Sequence, residues 1–332
     1  MNTQLEGKLA LFIENAQAMK EGFAWKNPMT RRLSAIVCVL ENKPVDCGAI
    51  SECHTMLKGQ TGVFSYFRGD LSVYIATMMS LTDQPKQRLT DTLYIYGLLK
   101  DQGFHASDYL VAAAYQIAAG TDGSHYEHAV TRAKGFYDAM KANHRFYTGR
   151  DDYIFSVMLG LSDIDITEGA DKMERLYQTL KPEFMNGNSV QALSQVLVLG
   201  GDSGETCTGV LRLRDTLRGN GIKLDKSYTL PALGVLSLLT ADMNAVVSDM
   251  MEAKDTLRAS KGFGAFSVTS QELLLYAASL VSSVYADGIK NGVLKAAVST
   301  GITNLIIAQQ AAMIAAVTSA GAAANASVAA SH

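Results

Sequence analysis

The sequence predicts an all-α protein: an array of about six helical hairpins of about 40 residues each, forming an α-α superhelix or a toroid. Three observations predict it. An apolar residue followed by Lys or Arg recurs at Leu57–Lys58, Leu99–Lys100, Met140–Lys141, Leu180–Lys181, Leu217–Arg218 and Leu257–Arg258, in steps of 42, 41, 40, 37 and 40 residues. Between these marks, segments apolar on most sides alternate with segments carrying one apolar stripe. A short polar residue able to accept first-turn N–H groups stands ahead of each apolar segment.

Residues 1–29 read as an N-terminal helix, with Leu9, Leu11, Phe12 and Ala16 on its apolar side. The hairpins are expected over 30–285. Their inner helices are expected to open at the caps Asp70, Ser107, Asp152, Asn188, Ser227 and Ser270. Pro231 is expected to kink the inner helix it sits in or to shift its start. Polar, glycine-bearing breaks such as 119–125 (AGTDGSH) and 200–205 (GGDSGE) separate inner from outer helices. The outer helices are amphipathic: Met173, Leu176, Tyr177 and Leu180 follow the i, i+3, i+4, i+7 spacing of a single face.

Each outer helix ends in the same phrase, as in 98–104 (LLKDQGF). The cation meets the negative end of the helix dipole. Gly59, Gly103 and Gly219 are positioned to take the left-handed conformation that stops a helix. Phe64, Phe104, Phe146, Phe184, Ile222 and Phe263 are then expected to turn back and plug the seams between units. Residues 286–320 form an Ala-rich segment, read as a helix packed on the body or on a second copy in a homo-oligomer, and 321–332 as a flexible tail. No Pro- or Ser-rich linker interrupts the chain, so 1–332 is expected to be one domain.

Composition narrows the function. The chain has 332 residues, 48% hydrophobic and only 18% charged, with a formal charge of −3. That balance gives no basis for nucleic-acid binding, which needs clustered Lys and Arg. Four cysteines and no leader pattern point to reduced thiols in a cytoplasm. Residues 296–331 lack charge, yet Thr303, Asn304, Gln309 and Gln310 interrupt their apolar run, so membrane association is not expected.

The densest polar cluster is His144, Arg150, Asp151 and Asp152, at the junction of two units where loops carry function. These four are the candidate ligand- or partner-binding residues; the structural alternative makes Asp152 a cap and Arg150–Asp151 a surface pair. His125 and His128 stand one helical turn apart but lack a third ligand at recognisable spacing. Arg68-Gly69-Asp70 opens a helix, Cys47 and Cys53–His54 have no partner motif, and 200–205 lacks the lysine of a phosphate loop. No cofactor, metal site or catalytic residue is expected.

Over 29–35 (MTRRLSA), 64–81 (FSYFRGDLSVYIATMMSL) and 151–161 (DDYIFSVMLGL), the chain resembles a family of uncharacterised bacterial proteins carrying only a domain-of-unknown-function label. The resemblance implies a bacterial cytoplasmic protein and supplies no functional residues. The stretch 98–114 (LLKDQGFHASDYLVAAA) is also similar to the repeat phrasing of prenyltransferases and triterpene cyclases. Only Asp163-Ile164-Asp165 stands where the cyclases need a DxDD-type acid, and Trp25 is the sole tryptophan. The expected function is therefore a non-catalytic binding or scaffold module with an unidentified protein or small-molecule partner. The alternative is an enzyme on an α/α toroid whose central pocket takes an isoprenoid- or carbohydrate-type substrate.

Overall fold

Two kinds of helix alternate along the chain, in a computed structural model that describes residues 2–200, 205–226, 229–239 and 241–285. The odd-numbered helices are α1 (Thr3–Gly22), α3 (Cys47–Gln60), α5 (Pro85–Asp101), α7 (Tyr126–Asn143), α9 (Ile166–Leu180), α11 (Thr206–Gly219) and α13 (Met243–Ala259). Between them run α2 (Pro28–Leu40), α4 (Ser72–Ser80), α6 (Asp108–Gly120), α8 (Tyr153–Gly160), α10 (Gly187–Leu199), α12 (Leu230–Ser237) and α14 (Ser270–Tyr285). No strand occurs among the described residues; the fold is all-α.

Burial follows the sequence patterns. Every residue of α4 from Ser72 to Met79 is buried, and so is every residue of α12 from Leu230 to Leu236. Helix α9 buries Met173, Leu176, Tyr177 and Leu180, the stripe its spacing requires, and leaves its other face wet. Even-numbered helices are thus inner and odd-numbered ones outer. Each outer helix packs on the inner helix that follows it, including α1 on α2, which adds a seventh pair ahead of the six expected.

Inner helices also touch one another: α2 on α4, α6 on α8, α8 on α10, α10 on α12, and α12 on α14. At the end of the series α14 meets α2, and α1 packs against both α13 and α14. The Phe12 ring of α1 lies 5.3 Å from Phe263 and 5.2 Å from Tyr276, so the N-terminal hairpin shares its core with the C-terminal one.

Short loops make consecutive helices antiparallel, and the loops that follow outer helices collect at one end. Hydrogen bonds tie them together. Lys26 donates to Gly69 O, Arg32 to Ser267 O, the His105 N–H to the Tyr153 hydroxyl, and Asn188 to Asp151. This is the end that carries the N-termini of the inner helices.

Several caps differ from expectation. Ser107 accepts the Leu110 N–H as expected, but α10 is capped by Asn186 rather than Asn188, and Thr269 rather than Ser270 accepts the Glu272 N–H. Neither Asp70 nor Asp152 caps a helix: α4 and α8 begin after Leu71 and Asp152 with no side-chain cap. Pro231 lies in the first turn of α12, so it sets the start of that helix and does not kink it. Ser227 falls outside the described residues, as do the 286–320 and 321–332 segments.

The plug expectation holds for four residues and fails for two. Phe104, Phe184, Ile222 and Phe263 are buried at 4%, 6%, 0% and 1% exposure, whereas Phe64 and Phe146 stand at 100% and 97%. In three of the four buried cases the preceding backbone turns the plug inward; Phe184 follows Glu183 and is buried without a left-handed residue, after a 3-10 turn over Lys181–Glu183. Gly103, Gly221 and Gly262 take φ of 87°, 76° and 91°, and each immediately precedes a buried plug. The left-handed residue reverses the chain, so the next N–H returns to the helix: Phe104 to Leu99 O and Ile222 to Leu217 O. Val63 and Arg145 precede the two exposed rings, and side chains with a Cβ resist that turn. Of the three glycines expected to be left-handed, only Gly103 is; Gly59 and Gly219 are the penultimate and last residues of their helices. Near Phe64 the seam is filled instead by Phe67, whose ring meets Tyr96 at 5.1 Å.

Candidate functional site

Helix α7 ends without a left-handed glycine, and its chain leaves through a nine-residue loop, 144–152, before α8 begins. His144 closes the helix by donating its backbone N–H to Met140 O, and its own carbonyl accepts from Tyr147 and Thr148. The His144 imidazole is thereby turned toward α9. Its Nε2 stands 2.6 Å from Glu174 Oε2, and its ring centre lies 4.1 Å from that of Tyr177.

Asp152, expected as a cap, points inward and is 3% exposed. One carboxylate oxygen accepts the Gly149 N–H at 2.8 Å, tightening the loop on itself. The other accepts from Gln191 at 3.0 Å and Gln195 at 2.6 Å, one turn apart on α10. Gln191 also donates to Thr148. Burial pushes the Asp152 carboxyl up to about 7, with the neighbouring Asp151 adding to the rise and the three N–H donors opposing it. Asp151 accepts from Asn188 at 3.1 Å and does not serve as a partner held for Arg150 alone; Arg150 is exposed.

A cleft of about 270 Å³, partly open to solvent, lies between α7, α9 and α10. Met140, Met173 and Tyr177 give it an apolar wall, and His144, Glu174 and Gln191 its polar edge. The structure thus brings together three of the four expected residues. His144 reaches the cleft, Asp152 sits behind it through Gln191, and Asp151 joins the same loop to α10. Arg150 stands apart on the surface.

A second polar cluster at the same end had no motif to announce it. Lys26 Nζ donates to Ser72 Oγ at 2.7 Å, and His54 Nε2 lies 3.3 Å from the same hydroxyl. Burial, then Lys58 and Lys26, lower the His54 pKa to about 4, so the ring is neutral at physiological pH. Burial, then Asp70, raise Asp108 to about 6. Ser72 is 1% exposed and His54 5%. The hydroxyl is closed to any substrate in this arrangement and acts as a lock between the first two hairpins. These residues lie at 26, 54, 72 and 108, one per segment, and only the fold juxtaposes them.

The weaker motifs resolve into structure. His125 pairs with Asp122 at 2.9 Å in an exposed turn, and among the described residues no three metal-ligating groups converge. Arg68 donates to the carbonyls of Lys58 and Thr61, closing the end of α3. Asp165 caps α9 by accepting from Thr167 and Glu168. Cys38, Cys47, Cys53 and Cys207 are free. No helix among the described residues is long and apolar enough to cross a membrane.

The surface of this end departs from an ordinary solvated rim. Trp25, Phe64, Phe146, Met185 and Phe266 are 63%, 100%, 97%, 101% and 108% exposed, and all five lie on loops that follow outer helices.

A model of the family described as "Protein of unknown function (DUF4003)" matches residues 15–311. An uncharacterised protein of Bacillus subtilis strain 168, YeaA, is 23% identical over 329 residues, covering 97% of each chain. No solved structure matches.

Proposed function

The chain belongs to the DUF4003 family, and we propose that it is a non-catalytic binding module that engages its partner through the end where outer helices hand over to inner ones. In this reading the seven hairpins are a helical repeat closed into a ring, in one domain, by the contacts of α1 and α2 with α13 and α14. The single observation that carries the reading is the collection of exposed apolar residues on that end. Single exposed apolar side chains are ordinary on a protein surface; what supports a contact role is that these large ones, each on a different loop, share one end of the array.

Two further features support it. The inner helices are buried on nearly all sides, so side chains and not a substrate chamber fill the middle of the array. Only about 10 Å³ of the cleft beside His144 is enclosed space, far below the roughly 300–1,000 Å³ of small-molecule sites. On this reading His144, Arg150 and Asp151 meet the partner, while Asp152 holds their loop in shape.

Photocrosslinking tests the reading. A benzophenone side chain at position 64 or 146 should yield adducts in the native cell, and one at position 122, on the opposite end, should not. Adducts only from position 122, or from none of the three, would overturn it.

A further inference from the structure

The two ends of the array differ in charge as well as in apolar exposure. The outer helices α3, α9 and α13 open on acidic caps, Asp46, Asp165 and Asp242, and Asp122 caps the turn before α7. Glu41, Asp83, Asp163 and Glu205 are exposed in the same set of loops. Inner helices use neutral caps instead: Asn27, Ser107 and Asn186. Outer helices end in Lys20, Lys58, Lys100, Lys141 and Arg218. Base therefore outweighs acid at one end and acid outweighs base at the other, although Asp70, Asp101, Asp151, Glu183 and Asp225 also stand at the basic end. The formal charge of −3 conceals this separation.

The basic end is also the apolar one, and the two features are interleaved. Lys26 and Lys58 sit 4.9 and 5.5 Å from the centre of the Trp25 ring. Phe146 follows Arg145, Met185 lies four residues after Lys181, and Phe266 five after Lys261. A protein partner would have to offer an acidic surface and also a separate apolar pocket for each of these side chains, which stand on different loops. An anionic bilayer satisfies both: the rings enter the headgroup–acyl boundary while Lys and Arg stay among the phosphates.

We infer that this end docks on an anionic lipid membrane surface, with Trp25, Phe64, Phe146, Met185 and Phe266 inserting shallowly. The acidic end then faces away from the like-charged bilayer, which fixes orientation. This revises the expectation of no membrane association and concerns surface contact, not a span. It rests on the reading that this is the binding end and supplies the partner's chemistry.

The test uses the full chain and its one tryptophan. Vesicles of phosphatidylcholine alone and vesicles with 30% phosphatidylglycerol (a chosen composition) are titrated while Trp25 emission and co-sedimentation are read. The expected result is a blue-shifted emission and co-sedimentation with the anionic vesicles only, weakened by high salt. A variant carrying Phe64→Ser, Phe146→Ser and Phe266→Ser should bind about tenfold more weakly or worse while melting like the parent. No binding to anionic vesicles would overturn the inference. Equal binding by parent and variant would also overturn it, placing attachment elsewhere in the chain. A parent dimer that the variant dissolves, without vesicle binding, would assign the face to a second copy. Benzophenone adducts with a protein, and none with lipid, would leave the binding end in place and sink the membrane alone.

Discussion

Arg32 and Glu272 stand 240 positions apart in the sequence and 3.0 Å apart in space. The same guanidinium donates to Gly262 O and Ser267 O, and the Tyr276 hydroxyl donates to the same carboxylate at 2.6 Å. With side chains only 12% and 6% exposed, the pair links the start of α2 to the start of α14 away from bulk water. Removing one partner of a buried pair strands the other charge. Arg32→Ala should therefore lower stability by about 3–5 kcal/mol in urea unfolding. A loss under about 1 kcal/mol would show that the first and last hairpins are not joined here in solution.

Phe104 and Phe146 occupy corresponding places in successive units but opposite environments. Phe104 stacks edge-on against Tyr153 at 4.8 Å, so Phe104→Ala should cost about 3–5 kcal/mol through the cavity it leaves. Phe146→Ala, at 97% exposure, should change the midpoint by no more than about 0.5 kcal/mol. Equal costs in the two melts would contradict the burial pattern.

The left-handed glycines offer a cleaner backbone test, since no atom lies within 4 Å of a Cβ added at Gly103 or Gly221. Any loss in Gly103→Ala or Gly221→Ala therefore reports conformation and not collision. The expected cost is about 1–2 kcal/mol each. The control Gly59→Ala, inside α3 and equally uncrowded, should be neutral or slightly stabilising.

Asp152 makes stability depend on pH. Its folded pKa is raised from 3.8 to about 7, so the folded protein holds this proton more tightly than the unfolded chain does. The stability this contributes is complete below about 4 and is lost as pH rises through about 7. Asp152→Asn removes the titration while keeping an acceptor for Gly149 or Gln195. The unfolding free energy of the variant relative to the parent should increase between pH 4 and pH 8. A difference that stays flat with pH would show that Asp152 is ionised throughout.

The helix pattern and the amphipathic stripes were legible because each depends on residues within one or two turns of each other. Met173, Leu176, Tyr177 and Leu180 face the core as their spacing requires. Ser107 caps where it was expected to cap. The candidate site was only half legible. A dense polar stretch at 143–152 marked the right loop, but nothing local revealed that Asp152 would turn from the helix terminus toward Gln191 and Gln195. That choice belongs to α10, about forty residues downstream.

By itself, then, the sequence determined the helical class and the alternation of buried and striped helices. Tertiary structure alone decided that α1 and α2 meet α13 and α14, that Lys26, His54 and Ser72 share one hydroxyl, and that Phe64 and Phe146 face water while Phe104 does not. The physical reason is range. Helix periodicity and capping act over about four residues. Buried partners such as Arg32 and Glu272 are selected by packing between elements that no local spacing encodes.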